Sequence, residues 1–391
     1  MYRVRNIVNR RESDVICQCP KVTENANSFT LGVSEGAGPE HLVVLVNGIV
    51  GSVENWRFAA EQFKEKLADK VVVHCNACNS ALRTFNGVDV MGNRLAEEVQ
   101  DVVDANPGVT KISFLSHSLG GLVSRYAIGQ LYAPQGGRSF LQERASSRFR
   151  NGEILVEHTK VGEAERVGDH DATTVAAPLY GSIAGLEPIN FITVATPHLG
   201  SKGNRHVPFL FGISTLERVA PMISHWFIGR TGRHLFLADG NKTLQPLLQR
   251  MVTDCHEGRF MSALRAFKQR TAYANTVYDH IVGWRTASIR RESEMPQVLI
   301  STIESYPHIV RDEELPAVDL KPTTMQTREP ASDFAEEVML TGLQQVAWRR
   351  VDVSFSGARV KNQAHNTIQV KSAAVHLEGQ DVIAHIIDKH F

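Results

Sequence analysis

The chain has 391 residues, of which 42% are hydrophobic and 21% charged, the composition of an ordinary globular protein with a sizeable core. Lys and Arg together number 42, as do Asp and Glu, so no bulk charge favours nucleic acid or an anionic membrane. The five cysteines are few and odd in number, which argues against a secreted disulfide framework. No apolar run reaches the length of about 18 residues that a transmembrane helix needs.

The N-terminal segment, residues 1–40, is polar and is expected to form an irregular lead-in. It contains several arginines but no apolar signal core, so we expect a cytoplasmic protein, with an organelle such as the chloroplast as the alternative. Further along, Cys75 and Cys78 lack a second pair of ligands, which favours thiols over a zinc site. We therefore expect no bound metal.

Strand-type and helix-type patterns alternate from residue 41 onward. Residues 42–46 form an unbroken apolar run, as in strands buried on both faces of a sheet. Later strand patterns lie at 71–74, 112–115, 189–195, 271–277 and 351–355, and helix patterns lie at 56–67, 91–103, 122–132, 261–267, 335–346 and 382–387. This alternation predicts an α/β fold with a mostly parallel central sheet flanked by helices.

Three segments interrupt the alternation. Residues 133–182 are polar with little periodicity, and residues 285–331 are irregular, charged and Pro-rich. Residues 207–229 are apolar but broken by charges and a proline, so they are too polar to span a membrane. We interpret residues 41–391 as one domain that carries these three insertions.

The segment from Lys111 to Tyr126 predicts a nucleophile elbow. It has an apolar strand, a turn of small residues with Ser118 at its apex, and an amphipathic helix. Such a turn strains the serine backbone and leaves its hydroxyl exposed at the carboxyl end of the strand. Gly120 meets the need for a small residue after the serine, while Ser116 replaces the usual glycine before it. A helix N-cap is the alternative interpretation of Ser118.

A nucleophilic serine needs a base, and the base needs an orienting acid. Because ligand sites in this architecture lie beyond the carboxyl ends of strands, both partners should follow later strands. Asp279 follows the strand pattern 271–277, and His365 follows the strand pattern 351–355. The chain order Ser118, Asp279, His365 is the order of nucleophile, acid and base known for this kind of elbow.

Three other residues compete for these roles. Asp239 follows a short apolar run but precedes the strand that should carry the acid. His308 precedes the last strand, inside an irregular segment. His117 adjoins the nucleophile, but we expect its side chain to point away from the elbow. Position along the chain therefore favours Asp279 and His365.

Stabilising the oxyanion of an ester intermediate requires two backbone N–H donors. The N–H of Leu119 is one candidate, since it follows the nucleophile at the positive end of its helix. The second candidate is Ile49 or Gly48, in the turn 47–52 after the first core strand. An ordinary Gly-rich turn is the alternative interpretation of that segment.

Five motifs in this order resemble the plant branch of the serine esterase, lipase-like family of α/β-hydrolases. They are NGIVGS at 47–52, ISFLSHSLGGLVSRYAIG at 112–129, ATPHLGS at 195–201, YDHIV at 278–282 and AHNTIQVK at 364–371. The resemblance runs from about residue 40 to the C-terminus. It implies an α/β-hydrolase fold and a serine ester hydrolase of lipids that has Ser118, Asp279 and His365 as its triad and no cofactor. One departure from wider lipase patterns is Asn47, which replaces a histidine often found before the oxyanion glycine.

The resemblance also implies partners and leaves alternatives open. The expected partner is a lipid or other ester, with transient contact with a membrane or lipid surface and no nucleic acid. Residues 207–229 lie where lipases of this fold carry a lid, and ordinary core packing by those residues is the alternative. The same triad would serve a thioesterase or protein deacylase, and the same scaffold would serve a non-catalytic binding protein.

Overall fold

The computed structural model describes residues 38–150, 181–201, 229–241, 243–297, 303–318 and 331–391. The strands of its main sheet are β1 (His41–Val46), β2 (Val71–Cys75), β3 (Lys111–His117), β6 (Glu187–Val194), β9 (Gln269–Asn275), β10 (Ile309–Leu315) and β11 (Trp348–Val353). They lie in the order β10-β11-β9-β6-β3-β1-β2. Within the described residues, each pairing in this sheet is parallel except that of β10 with β11. Two hairpins pair β4 (Tyr132–Ala133) with β5 (Ser182–Ile183) and β7 (Asp254–Cys255) with β8 (Gly258–Arg259).

The described α-helices are α1 (Arg57–Leu67), α2 (Val88–Ala105), α3 (Leu119–Leu131), α4 (Phe140–Arg150), α5 (Gly229–Leu235), α6 (Leu247–Arg250), α7 (Phe260–Ala266), α8 (Trp284–Ser288), α9 (Ala331–Leu343), α10 (Ala364–Thr367), α11 (Ala373–His376) and α12 (Gln380–His390). Short 3-10 helices span Val53–Trp56, Ala68–Lys70, Ala81–Phe85, Glu292–Glu294, Lys361–Gln363 and Leu377–Gly379. None of the described helices is both long and apolar enough to cross a membrane.

The sheet separates two hydrophobic cores because successive side chains of a strand point to opposite faces. In β1, Leu42 and Val44 pack in one core with residues of α2, α3, α7 and α9. Val43 and Leu45 pack in the other core with residues of α1 and α12. Both faces of a parallel strand are thereby covered, which is why β1 reads as an unbroken apolar run. The predicted α/β-hydrolase architecture, a mostly parallel sheet flanked by helices, is confirmed.

The three expected insertions differ in how far the structure describes them. Residues 133–182 include α4, whereas 151–180 lie outside the described residues. The lid-like segment 207–229 also lies outside them, apart from Gly229. The N-terminal lead-in is described only from residue 38.

The expectation of an irregular segment at 285–331 is wrong for Ile309–Leu315, which forms the antiparallel edge strand β10. This strand shows no apolar alternation because its side chains make ion pairs instead. Asp312 accepts two hydrogen bonds from Arg349 on β11, and Glu313 pairs with Arg290. Charged side chains are common on edge strands, where they discourage pairing with other chains.

Candidate active site

Ser118 lies in a sharp turn between the last residue of β3 and the first residue of α3. Its φ of 55° is rare for a residue with a side chain and indicates backbone strain. The surroundings hold this conformation: the Ser118 N–H donates to the Val194 oxygen at 2.9 Å, and its carbonyl accepts the Gly121 N–H at 3.1 Å. Ser118 is therefore the strained apex of a tight turn from strand to helix.

The two small residues beside the elbow have separate reasons to be small. A Cβ atom on Gly120 would lie 2.5 Å from the Val46 carbonyl oxygen, so a larger residue there would push against backbone. Ser116, which replaces the other glycine, is fully buried, and its hydroxyl lies 2.7 Å from that of Ser124 in α3. The elbow thus accommodates Ser116 by giving its hydroxyl a partner.

His365 and Asp279 complete a chain of hydrogen bonds that begins at Ser118. The Nε2 atom of His365 lies 3.0 Å from Ser118 Oγ, and its Nδ1 atom lies 3.0 Å from Asp279 Oδ2. All three side chains are largely buried. They come from the turn after β3, the loop after β9 and helix α10, and the carboxyl ends of the parallel strands bring these segments together.

Asp279 is anchored on both oxygens. The N–H groups of Ile281 and Val282 donate to Oδ1 at 3.0 and 2.8 Å, and Asn275 Nδ2 donates to Oδ2 at 2.9 Å. Burial by itself would raise the pKa of the Asp279 carboxyl, but the charge of His365 and these hydrogen bonds outweigh it and lower the pKa below 3.8. Asp279 is therefore ionised at neutral pH.

His117 belongs to the same cluster, which corrects the expectation that it points away. Its Nε2 atom lies 2.7 Å from the backbone oxygen of His365, and the two imidazole rings are 4.6 Å apart. Burial, followed by the charge of His365, lowers the pKa of His117 well below 6.5. His117 is thus a neutral hydrogen-bond donor to the backbone of His365.

The turn 47–52 lies directly against Ser118. A Cβ atom on Gly48 would be 2.9 Å from Ser118 Cβ, and the Gly51 N–H closes the turn on the Gly48 carbonyl at 3.1 Å. Asn47 is buried and its Nδ2 atom donates to the Asn79 carbonyl at 2.9 Å. The glycine at position 48 therefore permits the backbone of the turn, which includes Ile49, to approach Ser118.

The competing residues have other partners. Asp239 accepts the Leu247 N–H at 2.8 Å, and its Oδ2 lies 3.9 Å from His234 Nε2. His308 Nδ1 lies 2.9 Å from Asp381 Oδ1 on α12. The imidazole whose two nitrogens lie 3.0 Å from Ser118 Oγ and 3.0 Å from Asp279 Oδ2 is that of His365.

Cys75 and Cys78 take no part in the hydrogen bonds that join Ser118, His365 and Asp279. Burial raises the pKa of the Cys75 thiol to about 12, and Cys78 Sγ accepts a hydrogen bond from Asn76 at 3.2 Å. Among the described residues, no group of three or more His, Cys, Asp and Glu side chains is arranged to hold a metal ion.

Sequence analysis missed the residues that support Asp279. Beyond Asn275, the segment after Asp279 is held by Asp352, which accepts hydrogen bonds from Trp284 at 2.7 Å and from Arg290 at 2.8 and 3.0 Å. Asp352 lies inside the strand pattern 351–355 as a charged residue at a fully buried position. An acid between the two valines of that pattern was the available signal.

The chain matches a known protein family and several known proteins. The model of the family DUF676, described as "Putative serine esterase", matches residues 37–290. "Putative lipase C4A8.10" of Schizosaccharomyces pombe is 26% identical over 263 residues, which are 65% of this chain and 26% of that protein. "Putative lipase ROG1" of Saccharomyces cerevisiae is 29% identical over 259 residues, which are 64% of this chain and 28% of that protein. The matched region is thus under a third of each relative.

Among solved structures, the Bacillus licheniformis lipase BlEst2 is similar with a TM-score of 0.33 and 14% identity. The similarity covers 64% of this chain and 70% of that chain, and at this TM-score it carries no inference. The family match covers well over half of the 391 residues and includes both Ser118 and Asp279. The chain belongs to the family DUF676, whose description is "Putative serine esterase".

Proposed function

We propose that the protein is a serine hydrolase that cleaves lipid carboxylic esters, with Ser118 as nucleophile, His365 as general base and Asp279 as the orienting acid. The observation that supports this most is the pair of hydrogen bonds at His365. One ring nitrogen is 3.0 Å from the Ser118 hydroxyl and the other is 3.0 Å from the Asp279 carboxylate. A base in this position is within reach of the proton that it must remove.

In the acylation step, Ser118 Oγ attacks the ester carbonyl carbon while His365 Nε2 takes the hydroxyl proton. The ionised Asp279 holds the proton of the imidazole on Nδ1 and stabilises the imidazolium ion. When the tetrahedral intermediate collapses, the carbon–oxygen bond to the alcohol breaks and His365 gives its proton to that oxygen. The products are an alcohol and an acyl ester of Ser118.

In the deacylation step, a water molecule takes the place of the alcohol. His365 removes a proton from the water as its oxygen attacks the acyl carbonyl, and the proton then passes to Ser118 Oγ. The carboxylic acid leaves and the free serine is restored. Every proton in both steps is carried by His365, so the proposed cycle requires no further acid or base.

Each tetrahedral intermediate places a negative charge on the former carbonyl oxygen. We assign its stabilisation to the backbone N–H of Leu119, at the N-terminus of α3, and to that of Ile49 or Gly48 in the turn 47–52. The close approach of Gly48 to Ser118 supports this assignment, since the turn is near enough for its N–H groups to reach the same oxygen.

A lipid substrate is supported by apolar side chains on the loops around this cluster. Val50 is 58% exposed, Leu82 is 76% exposed and Ile281 is 40% exposed. Val50 lies in the turn 47–52, Leu82 lies in a 3-10 helix whose Ala81 N–H donates to Gly51, and Ile281 lies two residues after Asp279. Exposed apolar residues on loops beside the proposed triad are suited to contact an acyl chain, and the relatives named above carry the name "Putative lipase".

The test is hydrolysis of a matched panel by the wild-type chain and by Ser118→Ala. The panel pairs each acyl chain length as an oxygen ester and as a thioester, with an acyl-lysine peptide as a further member. We expect cleavage of oxygen esters with a preference for long acyl chains, and no cleavage by the variant. A preference for thioesters or acyl-lysine would instead establish the thioesterase or deacylase alternative. Binding without cleavage would establish the non-catalytic scaffold.

A further inference from the structure

The turn 47–52 contains a strained residue away from the nucleophile. Val50 has a φ of 53°, a conformation that β-branched residues very rarely adopt. It is the third residue of the turn closed by the Gly51 N–H on the Gly48 carbonyl, a position where a positive φ usually requires glycine. Such strain persists only when the surrounding structure holds the backbone in place.

The group that holds it is the hydroxyl of Thr84. The Val50 N–H donates to Thr84 Oγ1 at 2.9 Å, and this hydroxyl donates to the Ala81 carbonyl at 2.6 Å. Thr84 is only 1% exposed, so water does not compete for either bond. The adjacent Ala81 N–H donates to the Gly51 carbonyl at 3.0 Å, which ties the 3-10 helix Ala81–Phe85 to the turn a second time.

Thr84 is itself held by a hydrogen bond from helix α5. Its carbonyl accepts a hydrogen bond from Thr231 Oγ1 on α5 at 2.7 Å, and the same hydroxyl accepts the Gly87 N–H at 3.0 Å. Thr231 is fully buried. A continuous chain of hydrogen bonds therefore runs from α5 through Thr84 to the backbone of the turn beside Ser118.

We propose that Thr84 is a positioning residue for ester hydrolysis, since its hydroxyl fixes the Ile49–Val50 peptide and thereby aims the turn 47–52 at the oxyanion. This inference rests on the proposed function. Without the hydroxyl, the Ile49–Val50 peptide is free to rotate and relieve the positive φ of Val50. That rotation changes the backbone dihedral angles of Ile49 and Val50. The Gly48–Ile49 peptide, which carries the Ile49 N–H, then loses the fixed neighbour that sets its orientation. An N–H donor stabilises an oxyanion only at hydrogen-bonding distance from it, so a small displacement weakens catalysis.

The test compares Thr84→Val, which keeps the shape and removes the hydroxyl, with Thr84→Ser, which keeps the hydroxyl. Thr271→Val is the matched control, since Thr271 is fully buried in β9 and its hydroxyl has no hydrogen-bond partner among the described residues. Deleting a whole oxyanion donor costs about 100-fold to 1000-fold in kcat. For a displaced donor we expect Thr84→Val to lower kcat about tenfold with KM unchanged. We expect Thr84→Ser and Thr271→Val to stay close to wild type.

Inhibition by a trifluoromethyl ketone with the same acyl chain separates positioning from a general loss of folding. Ser118 adds to its carbonyl carbon, His365 takes the proton, and the resulting oxyanion lies where that of the ester intermediate would lie. We expect its inhibition constant to rise in Thr84→Val by the same factor as kcat/KM falls. The dissociation constant of a non-hydrolysable ether analogue should remain unchanged.

Hydrogen exchange provides a readout that does not depend on catalysis. In Thr84→Val, we expect faster exchange in the peptide that contains residues 47–52 and no change in the strand peptides. An active wild type whose Thr84→Val variant keeps its kcat and its ketone inhibition would overturn the positioning role alone. A folded wild type that hydrolyses no ester and is not modified at Ser118 would overturn the proposed function, and the inference with it.

Discussion

The Nε2 atom of His117 lies 2.7 Å from the backbone oxygen of His365, so the His117 imidazole donates a hydrogen bond to that oxygen. The ring of His365 in turn lies 3.0 Å from the Ser118 hydroxyl. Because the pKa of His117 is held well below 6.5 by burial and then by the charge of His365, the donor is neutral. A neutral donor can hold the His365 backbone without opposing the positive charge that the His365 ring acquires during catalysis.

Replacing His117 tests this relationship. We expect His117→Leu to lower kcat about tenfold, because the base loses the bond that fixes its backbone and misplacement of a catalytic group is costly. His117→Gln retains an N–H donor at a similar reach and should restore most of the rate. Steady-state kinetics with one ester substrate measure both variants. Equal rates in the Leu and Gln variants would mean that the hydrogen bond has no role in positioning His365.

Replacing Asp279 tests the orienting acid. Asp279→Asn keeps the shape but presents an amide to His365, which no longer favours the tautomer with its proton on Nδ1. In a serine protease the corresponding change lowers kcat about 10⁴-fold, and we expect a loss of that order. The measurement is kcat for an ester substrate, with unfolding followed in parallel to confirm that the variant folds. A loss of less than about tenfold would exclude Asp279 from the role of the acid.

Adding a methyl group at Gly48 tests the approach of the turn to the nucleophile. In Gly48→Ala the new Cβ would lie 2.9 Å from Ser118 Cβ, so the turn or the elbow must move. We expect kcat/KM to fall about 100-fold, the size of the loss of an oxyanion donor. Gly108→Ala is the matched control, since a Cβ there meets nothing within 4 Å. Similar kcat/KM values for the two variants would contradict the placement of the oxyanion site at this turn.

The pH dependence of the free energy of unfolding should reflect His390, a buried histidine at the end of α12. Burial, followed by the charges of Arg349 and His385, lowers the pKa of His390 to about 3. Its Nε2 lies 3.1 Å from the Tyr273 hydroxyl and its Nδ1 lies 2.9 Å from Gln269 Oε1. As the pH falls below about 6.5, the unfolded chain binds a proton that the folded chain excludes. The free energy of unfolding therefore falls by up to about 1.4 kcal/mol per pH unit for this group, until the pH nears 3.

Urea unfolding of His390→Gln between pH 4 and pH 6 measures this effect. We expect the free energy of unfolding to depend less steeply on pH than in the wild type, by about one proton. His256→Gln, which replaces an exposed histidine, is the matched control. An unchanged slope in His390→Gln would show that His390 is protonated equally in both states.

The sheet and the segments that bear the three proposed triad residues could be predicted from local patterns. Apolar runs marked the buried parallel strands, and the small-residue turn marked the elbow at Ser118. Asp279 and His365 were indicated because each follows a strand, and parallel strands bring their carboxyl ends to one edge of a sheet. Elements whose formation depends on their own strand or helix pattern are thus predictable from local sequence.

Contacts between distant segments could not be predicted from local sequence patterns. His117 meets the carbonyl of a residue 248 positions away, and Thr84 meets Val50 across 34 positions. Neither contact leaves a periodic pattern in the sequence. The edge strand β10 was missed for a related reason, since its charges are balanced by Arg290 and Arg349, which come from other elements.

The measurement that tests the proposed nucleophile most directly is labelling by a fluorophosphonate probe, read as intact mass and located by peptide mapping. The probe phosphonylates a serine only when a base activates it. We expect one adduct on the wild type, located at Ser118, no adduct on Ser118→Ala, and greatly slowed labelling of His365→Ala. A folded wild type that remains unlabelled, or an adduct that persists in Ser118→Ala, would contradict the assignment of Ser118 as an activated nucleophile.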